Sequence, residues 1–353
     1  MRIAIVNNLY PPYGRNSGAE IIAANMSADL KLAGHEVLII TSTLNNEQTD
    51  TDSTYFLNSS YRLLSQWTSL RKLIWHLGQL IIPWHKRKLK QILNTKKVDL
   101  VITHNLIGLG FYLPRLLRRL NIPHHHLLHD IQLLHPSGLM YFGQENIINS
   151  LLARCYQFFT KQSLSGAAQI ISPSQWLLQL HQEKGFFNNQ KTLVRPNFKL
   201  EKQTPKNLTK PVQFIFAGQL EKHKGIHILL EAWEKAAIPK EKAQLNIVGG
   251  GSLLNLVQAK SHEIDNINYA GYLSHEETEK LIKQLDVLIL PSLVYENSPT
   301  SLWEAAKYGL HAIASDIGGI SELKEYLDLK LIPPNNSEAL AQMMINIVKN
   351  LED

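Results

Sequence analysis

The strongest constraint on this chain is an alternation. Short apolar runs are separated by longer stretches of helical period along most of the sequence. Ile3-Ala4-Ile5-Val6 is the first run. A helical stretch over residues 19–32 follows, with Ile22, Ala23, Met26 and Leu30 on one face, and Gly34 stops it. Further runs lie at residues 37–40, 100–102, 126–128 and 169–171, while 45–60 is polar and reads as a loop. This order is the signature of a parallel α/β fold.

The pattern breaks once. Residues 199–211 are rich in Lys, Gln, Thr, Asn and Pro, with only Leu200 and Leu208 apolar, as linkers are. It then restarts with a run at 214–216, a helix over 226–236, a run at 245–248, a helix over 276–284 and a run at 287–290. The reading is an N-terminal Rossmann-like domain at 1–198, a linker at 199–211 and a second such domain at 212–353. The length of 353 residues agrees, at about 150 residues per domain.

Composition narrows the function. The single Cys155 excludes a disulfide scaffold and a cysteine-built zinc or iron–sulfur site, and it fits a reducing compartment. The N-terminus lacks the basic start, apolar run and cleavage site of a signal peptide. The best apolar candidate for a membrane span, residues 73–84, is broken by His76, Gly78, Gln79 and Pro83. The expected location is the cytoplasm, with the inner face of the plasma membrane as a peripheral site. The net charge of +6 is unevenly divided: residues 1–200 carry 21 basic and 10 acidic side chains, and 201–353 carry 15 and 20. Residues 60–120 hold twelve basic side chains and one acid, Asp99. An anionic partner for the first half follows from that asymmetry.

The sharpest local pattern is Glu296-Asn297-Ser298-Pro299-Thr300-Ser301-Leu302-Trp303-Glu304. Ser298 suits an N-cap and Pro299 the first helical position. The Thr300 and Ser301 amides would then point out of a sheet edge, where a diphosphate fits. Glu296 and Glu304 flank that position, and carboxylates accept sugar hydroxyls. The same spacing also describes an ordinary capped helix with two surface glutamates. Gly-rich turns at Gly218, Gly249-Gly250-Gly251 and Gly318-Gly319, with Lys224 nearby, favour a nucleotide pocket. Neither G-x-G-x-x-G nor Walker A occurs.

These residues, with Pro11-Pro12, Ser17-Gly18-Ala19-Glu20 and His129-Asp130, resemble glycosyltransferase family 4 over nearly the whole chain. The resemblance implies the GT-B fold, two doubly wound Rossmann-like domains facing across a cleft. It implies a retaining, metal-independent transfer of a hexose-type sugar from a nucleotide-diphosphate donor. The acceptor would be a saccharide or a lipid-linked hydroxyl, in cell-surface polysaccharide or glycolipid synthesis. By the same resemblance, Glu296 binds the donor sugar and Glu304 the ribose. Lys224 with Thr300 and Ser301 stabilises the leaving diphosphate. Gly18, Gly218, Gln219, Gly249 and Ser298 approach the donor, and His129 lies near the sugar and acceptor. No cofactor is expected.

Two departures stand out. Gln219 replaces the family's usual Arg, so diphosphate charge rests on Lys224, with Lys222 or Arg15 as compensation. The family's closing crossover helix is not visible after the helix at 337–349. A sugar-nucleotide epimerase and a non-catalytic nucleotide-sugar-binding protein remain alternatives.

Several features also have ordinary readings. Ser17-x-x-Glu20 is a capping box. Glu322 complements a helix N-terminus as readily as a ligand. His124, His125 and His126 alternate faces of a strand without a cysteine, which suits packing or solvent more than metal. Asp50-Thr51-Asp52 falls in a polar loop and reads as a chance D-x-D. The basic stretch with Trp67, Trp75 and Trp84, densest at Lys86, Arg87, Lys88 and Lys90, suits an anionic bilayer or a lipid-linked acceptor. It suits a solvated helical face equally well, and nucleic acid is not expected.

Overall fold

A computed structural model describes residues 1–13, 18–44, 47–198 and 203–351. The chain divides into two compact units, Met1–Leu139 with Glu145–Asn197, and Met140–Gln144 with Phe198–Asp353. Residues 140–144 therefore belong to the second unit, although sequence position places them in the first domain. The reason is main-chain pairing. The Phe142 amide donates to the Leu293 carbonyl at 2.9 Å, and the Tyr295 amide donates to the Met140 carbonyl at 2.9 Å.

The first unit has strands β1 (Arg2–Val6), β2 (Glu36–Thr43), β3 (Thr54–Asn58), β4 (Leu100–Thr103), β5 (His124–Leu127), β6 (Gln169–Ser172) and β7 (Lys191–Val194). Its helices are α1 (Gly18–Leu32), α2 (Ser69–Ile81), α3 (Lys86–Thr95), α4 (Leu113–Arg119), α5 (Leu151–Leu164) and α6 (Gln175–Glu183). The sheet order is β3-β2-β1-β4-β5-β6-β7, and every pairing is parallel. Such strands are covered on both faces, which is why Ala4, Ile5, Val6 and Ile40 lose all contact with water.

Two strands of the first unit escaped the sequence reading. β3 lies inside the expected loop at 45–60, with Tyr55, Phe56 and Leu57 buried against β2. β7 is an edge strand of mixed polarity, Lys191-Thr192-Leu193-Val194, and is largely exposed. The short run of β3 is set in a polar stretch, and β7 mixes polarity along its length.

The second unit has strands β8 (Val212–Ala217), β9 (Ala243–Val248), β10 (Ile267–Tyr269), β11 (Val287–Leu290), β12 (His311–Ser315) and β13 (Leu329–Ile332). Its helices are α7 (Ile226–Ala236), α8 (Leu254–Glu263), α9 (His275–Ile282), α10 (Thr300–Lys307) and α11 (Ser337–Lys349). The order β10-β9-β8-β11-β12-β13 is again parallel throughout.

Alternate residues of β8 enter opposite cores. Phe214 and Phe216 pack with Leu229 and Trp233 of α7 and Leu340 and Met344 of α11. Ile215 packs with Leu302 and Trp303 of α10. The chain leaves β8 for β9 on one side, and β11 feeds β12 on the other. The second sheet therefore has its topological switch point between β8 and β11, where α/β sheets open a crevice at their carboxyl ends.

The expected linker is not a free tether over its described part. The Lys206 amide donates to the Gly309 carbonyl at 2.8 Å, and Lys206 Nζ donates to the carbonyls of Lys283 and Leu285 at 2.7 and 2.9 Å. Leu208 packs on the second core. Residues 199–202 lie outside the described residues.

Candidate active site

The switch point of the second sheet is lined by residues 218–225 after β8 and 291–299 after β11. Lys224 ends a 3-10 turn formed by Lys222–Lys224. Its Nζ donates to Glu296 Oε1 at 2.6 Å, and Ser292 Oγ donates to the same oxygen at 3.0 Å. Both bonds fall on Oε1, which leaves Oε2 to accept from something else. The pair is well sheltered, with side-chain exposures of 25% for Lys224 and 14% for Glu296. Two residues distant in sequence thus meet only because β8 and β11 are adjacent.

The Glu296 loop is held from three sides. The Leu293 amide donates to the His223 carbonyl at 2.9 Å. Tyr141 forms an antiparallel bridge with Val294. Behind the loop, the Gly319 amide donates to the Glu296 carbonyl at 2.8 Å. Gly318 has φ +69°, and a Cβ there would stand 2.1 Å from the Glu296 carbonyl oxygen. Gly318→Ala is expected to destabilise the second unit by about 3 kcal/mol or more and to move Glu296. A chemical denaturation midpoint unchanged from wild type would contradict this.

Residues 218–225 are tied to those that follow β9. The Ser252 amide and hydroxyl donate to the two oxygens of Glu221 at 2.8 and 2.6 Å, and these bonds hold the carboxyl below its ordinary pKa. Gly249, at φ +138°, lies so close to Gly218 that a Cβ would stand 1.8 Å from the Gly218 carbonyl oxygen. Gly218 itself is exposed, and a Cβ there would meet nothing nearer than 3.9 Å. Close packing thus demands Gly249 rather than Gly218. Gln219 is exposed beside it.

The cap of α10 differs from the sequence reading. Pro299 occupies the N-cap, with φ −65° and ψ 129°, and Thr300 is the first helical residue. Ser298 does not cap the helix; its Oγ accepts from Trp303 Nε1 at 2.7 Å. The indole, fully enclosed on α10, requires a partner, and Ser298 is the residue within reach. The Thr300 and Ser301 amides still have no acceptor within their helix. Thr300, Ser301 and Glu304 share its half-buried side, while Leu302, Trp303, Ala305 and Ala306 are buried. Glu322 lies in the first turn of a 3-10 helix, Ile320–Glu325.

The remaining candidates belong to the first unit. Gly18 is the first residue of α1, and Arg15 and Ser17 lie outside the described residues, so the capping box does too. His129 follows β5. Its Nε2 shares a 2.8 Å hydrogen bond with His104 Nδ1, and the rings stack at 5.0 Å. Burial lowers the His129 pKa to about 4, so the ring is neutral at pH 7. Burial also raises the neighbouring Asp130 to about 6. His124 and His126 turn to one face and both bond Thr103 Oγ1, at 2.6 and 2.8 Å. Among the described residues, no group of three or more His, Cys, Asp or Glu side chains is placed to hold a metal ion.

The basic face also needs correction. Lys86, Arg87 and Lys90 are exposed on α3. Lys88 is committed, with Nζ on Asp50 at 2.8 Å and on the Phe56 carbonyl at 2.8 Å. Trp84 is half-buried against Trp75, their ring centroids 6.2 Å apart. Sequence reasoning missed Ser292, Glu221, Ser252 and residues 140–144. Single polar residues in loops carry no periodic signal.

Residues 16–198 match the family described as Glycosyltransferase Family 4, and residues 197–353 match Glycosyl transferases group 1. The chain belongs to glycosyltransferase family 4. It is 25% identical over 338 residues to an uncharacterized 42.6 kDa protein in the cps region of Klebsiella pneumoniae, covering 93% of this chain and 88% of that one. It is 33% identical over 144 residues to the O-antigen chain mannosyltransferase C of Escherichia coli, covering 39% of this chain and 38% of that one. The fold matches that of Anabaena HepE, solved in complex with UDP, at a TM-score of 0.68 and 16% identity, covering 100% of this chain and 91% of that one. The family member thus has the GT-B fold, with its parallel sheets of seven and six strands.

Proposed function

We propose that this family 4 glycosyltransferase moves a hexose-type sugar from a nucleotide-diphosphate donor to a hydroxyl acceptor, with retention and without a metal. The observation that carries the reading is the Lys224–Glu296 pair beside the first turn of α10. Glu296 Oε2 is left to accept donor-sugar hydroxyls. Lys224 Nζ has three protons, and one serves Glu296, so two are left for phosphate oxygens. The Thr300 and Ser301 amides add the partial positive charge of a helix N-terminus. Glu304 follows on the same side of α10 and suits the ribose hydroxyls. Gly218, Gln219 and Gly249 face the nucleotide.

In this reading the acceptor oxygen bonds the anomeric carbon from the face that the diphosphate leaves. The carbon–oxygen bond to the diphosphate breaks, and the acceptor proton passes to the departing phosphate oxygen. Lys224 and the two amides stabilise the charge that develops there. The names of the relatives support a role in surface polysaccharide or glycolipid assembly. The basic, tryptophan-bearing stretch at 60–120 supports an enzyme working at the cytoplasmic membrane surface on a lipid-linked acceptor.

The test is a panel of labelled UDP, GDP and ADP sugars with a polyprenyl-phosphate-linked acceptor. Transfer with an α-linked product from an α-linked donor, undiminished by EDTA, is the expected result. Isomerised donor without transfer would show an epimerase, and tight binding without turnover would show a binding protein. In the same assay Gln219→Arg is expected to lower the donor KM by roughly tenfold, since a guanidinium adds a charge-assisted bond at an exposed position. An unchanged KM would show that no charge is wanting there.

A further inference from the structure

We propose that the outer face of α2 is a docking surface for an anionic lipid bilayer, on which the helix lies flat. The inference extends the membrane-surface reading above by naming the element that makes the contact. Leu70, Leu73, Ile74, Leu77 and Ile81 follow helical spacing on α2 and are exposed by 68%, 40%, 62%, 45% and 62%. The opposite side of the helix buries Trp75 and Gln79. The exposed stripe is therefore not the core face of an ordinary amphipathic helix; it is a second apolar face turned to water. α5, which packs against α2, exposes Leu151, Leu152 and Phe158 as well.

The surrounding charge decides what covers the stripe. α2 has no acid in its first turn, and α3 begins Lys86-Arg87-Lys88 with none either. Lys86, Arg87 and Lys90 are exposed at the end of α3 where the helix dipole is already positive, an arrangement that an anionic surface relieves. Arg71 lies 3.9 Å from the centroid of the Trp67 ring, and Trp67 and Trp84 are half-buried with ring centroids 6.4 and 6.2 Å from that of Trp75. Apolar residues, tryptophans and cations together are what a bilayer interface selects. A second copy of this chain seated on the stripe would bring its own exposed Lys86, Arg87 and Lys90 toward the same three, which repels. At 13 residues α2 lies on a bilayer rather than crossing it, and among the described residues no helix is long and apolar enough to cross.

The experiment is cosedimentation of the full chain with vesicles of phosphatidylcholine, alone and with 30 mol% phosphatidylglycerol. Wild type is expected to bind the anionic vesicles roughly tenfold or more tightly than the neutral ones. Ile74→Gln with Leu77→Gln keeps the charge and the helix propensity, and is expected to lower that binding by roughly tenfold or more. Lys86→Gln with Arg87→Gln and Lys90→Gln is expected to remove its salt sensitivity. Far-UV melting confirms that both variants are folded. Undiminished binding of the α2 variant would overturn the docking face while leaving membrane association standing. Absence of wild-type binding would overturn both. A concentration-dependent dimer that the α2 variant dissolves would reassign the face to self-association. Sugar transfer to a soluble acceptor, measured alongside, separates failure of docking from failure of the proposed activity.

Discussion

Glu296→Ala is expected to lower sugar transfer by about 10³-fold, and Glu296→Gln by about 10²-fold, with nucleotide affinity changed far less. The alanine removes both the sugar acceptor on Oε2 and the partner of Lys224. The glutamine keeps a hydrogen-bonding group but leaves a half-buried ammonium without its counter-charge. Lys224→Met is expected to cost a comparable factor in kcat, because its charge matters most as the diphosphate departs. The double variant should be little worse than the worse single one, since the two side chains act as a unit. Single-turnover transfer of labelled sugar together with calorimetric binding of the free nucleotide measures each quantity separately. Near-normal turnover of Glu296→Ala would remove the donor role from this site.

The first unit is expected to unfold in mild acid. Burial lowers His76 and His181 to about 4, as it does His129, and lowers His124 to about 3. His104 and His126 are lowered well below the ordinary value of 6.5. Each folded pKa lies under its unfolded one, so the unfolded chain binds more protons between them. Stability is full above pH 6.5 and falls as pH drops through the folded values. A group lowered to about 4 accounts for up to about 3 kcal/mol of that loss. Asp130, raised to about 6, works in the opposite direction between 3.8 and 6, but it is one group against six. The melting temperature is thus expected to drop steeply between pH 6.5 and 4.5. His181→Leu should flatten that slope, because the ring is fully buried and its Nε2 has no partner. A melting temperature that is flat over this range would refute the assignment.

Much of the architecture was legible because buried parallel strands write themselves as apolar runs. Residues 226–236, 287–290 and 337–349 have the bounds the sequence predicts for them. β3 and β7 were not legible, since one hides three apolar residues in a polar stretch and the other is an exposed edge, and the short strands β10, β12 and β13 were not read either. The Glu296–Glu304 segment announced a helix N-terminus, but the cap moved from Ser298 to Pro299. The cause is a tertiary one: Trp303 is buried, and its N–H claims the serine oxygen. Likewise Lys88 looked like its neighbours until the fold brought Asp50 beside it.

The alternation that constrains this chain determines two parallel α/β units and the glycine turns at the ends of the second sheet. It does so because period and turn chemistry are local properties of the backbone. Only the tertiary structure decides that Lys224 meets Glu296, 72 residues away, through the adjacency of β8 and β11. Only it decides that residues 140–144 pair beside the Glu296 loop, and that the apolar face of α2 is turned outward. Helical periodicity marks a face as apolar; what covers that face is set by the packing of everything else.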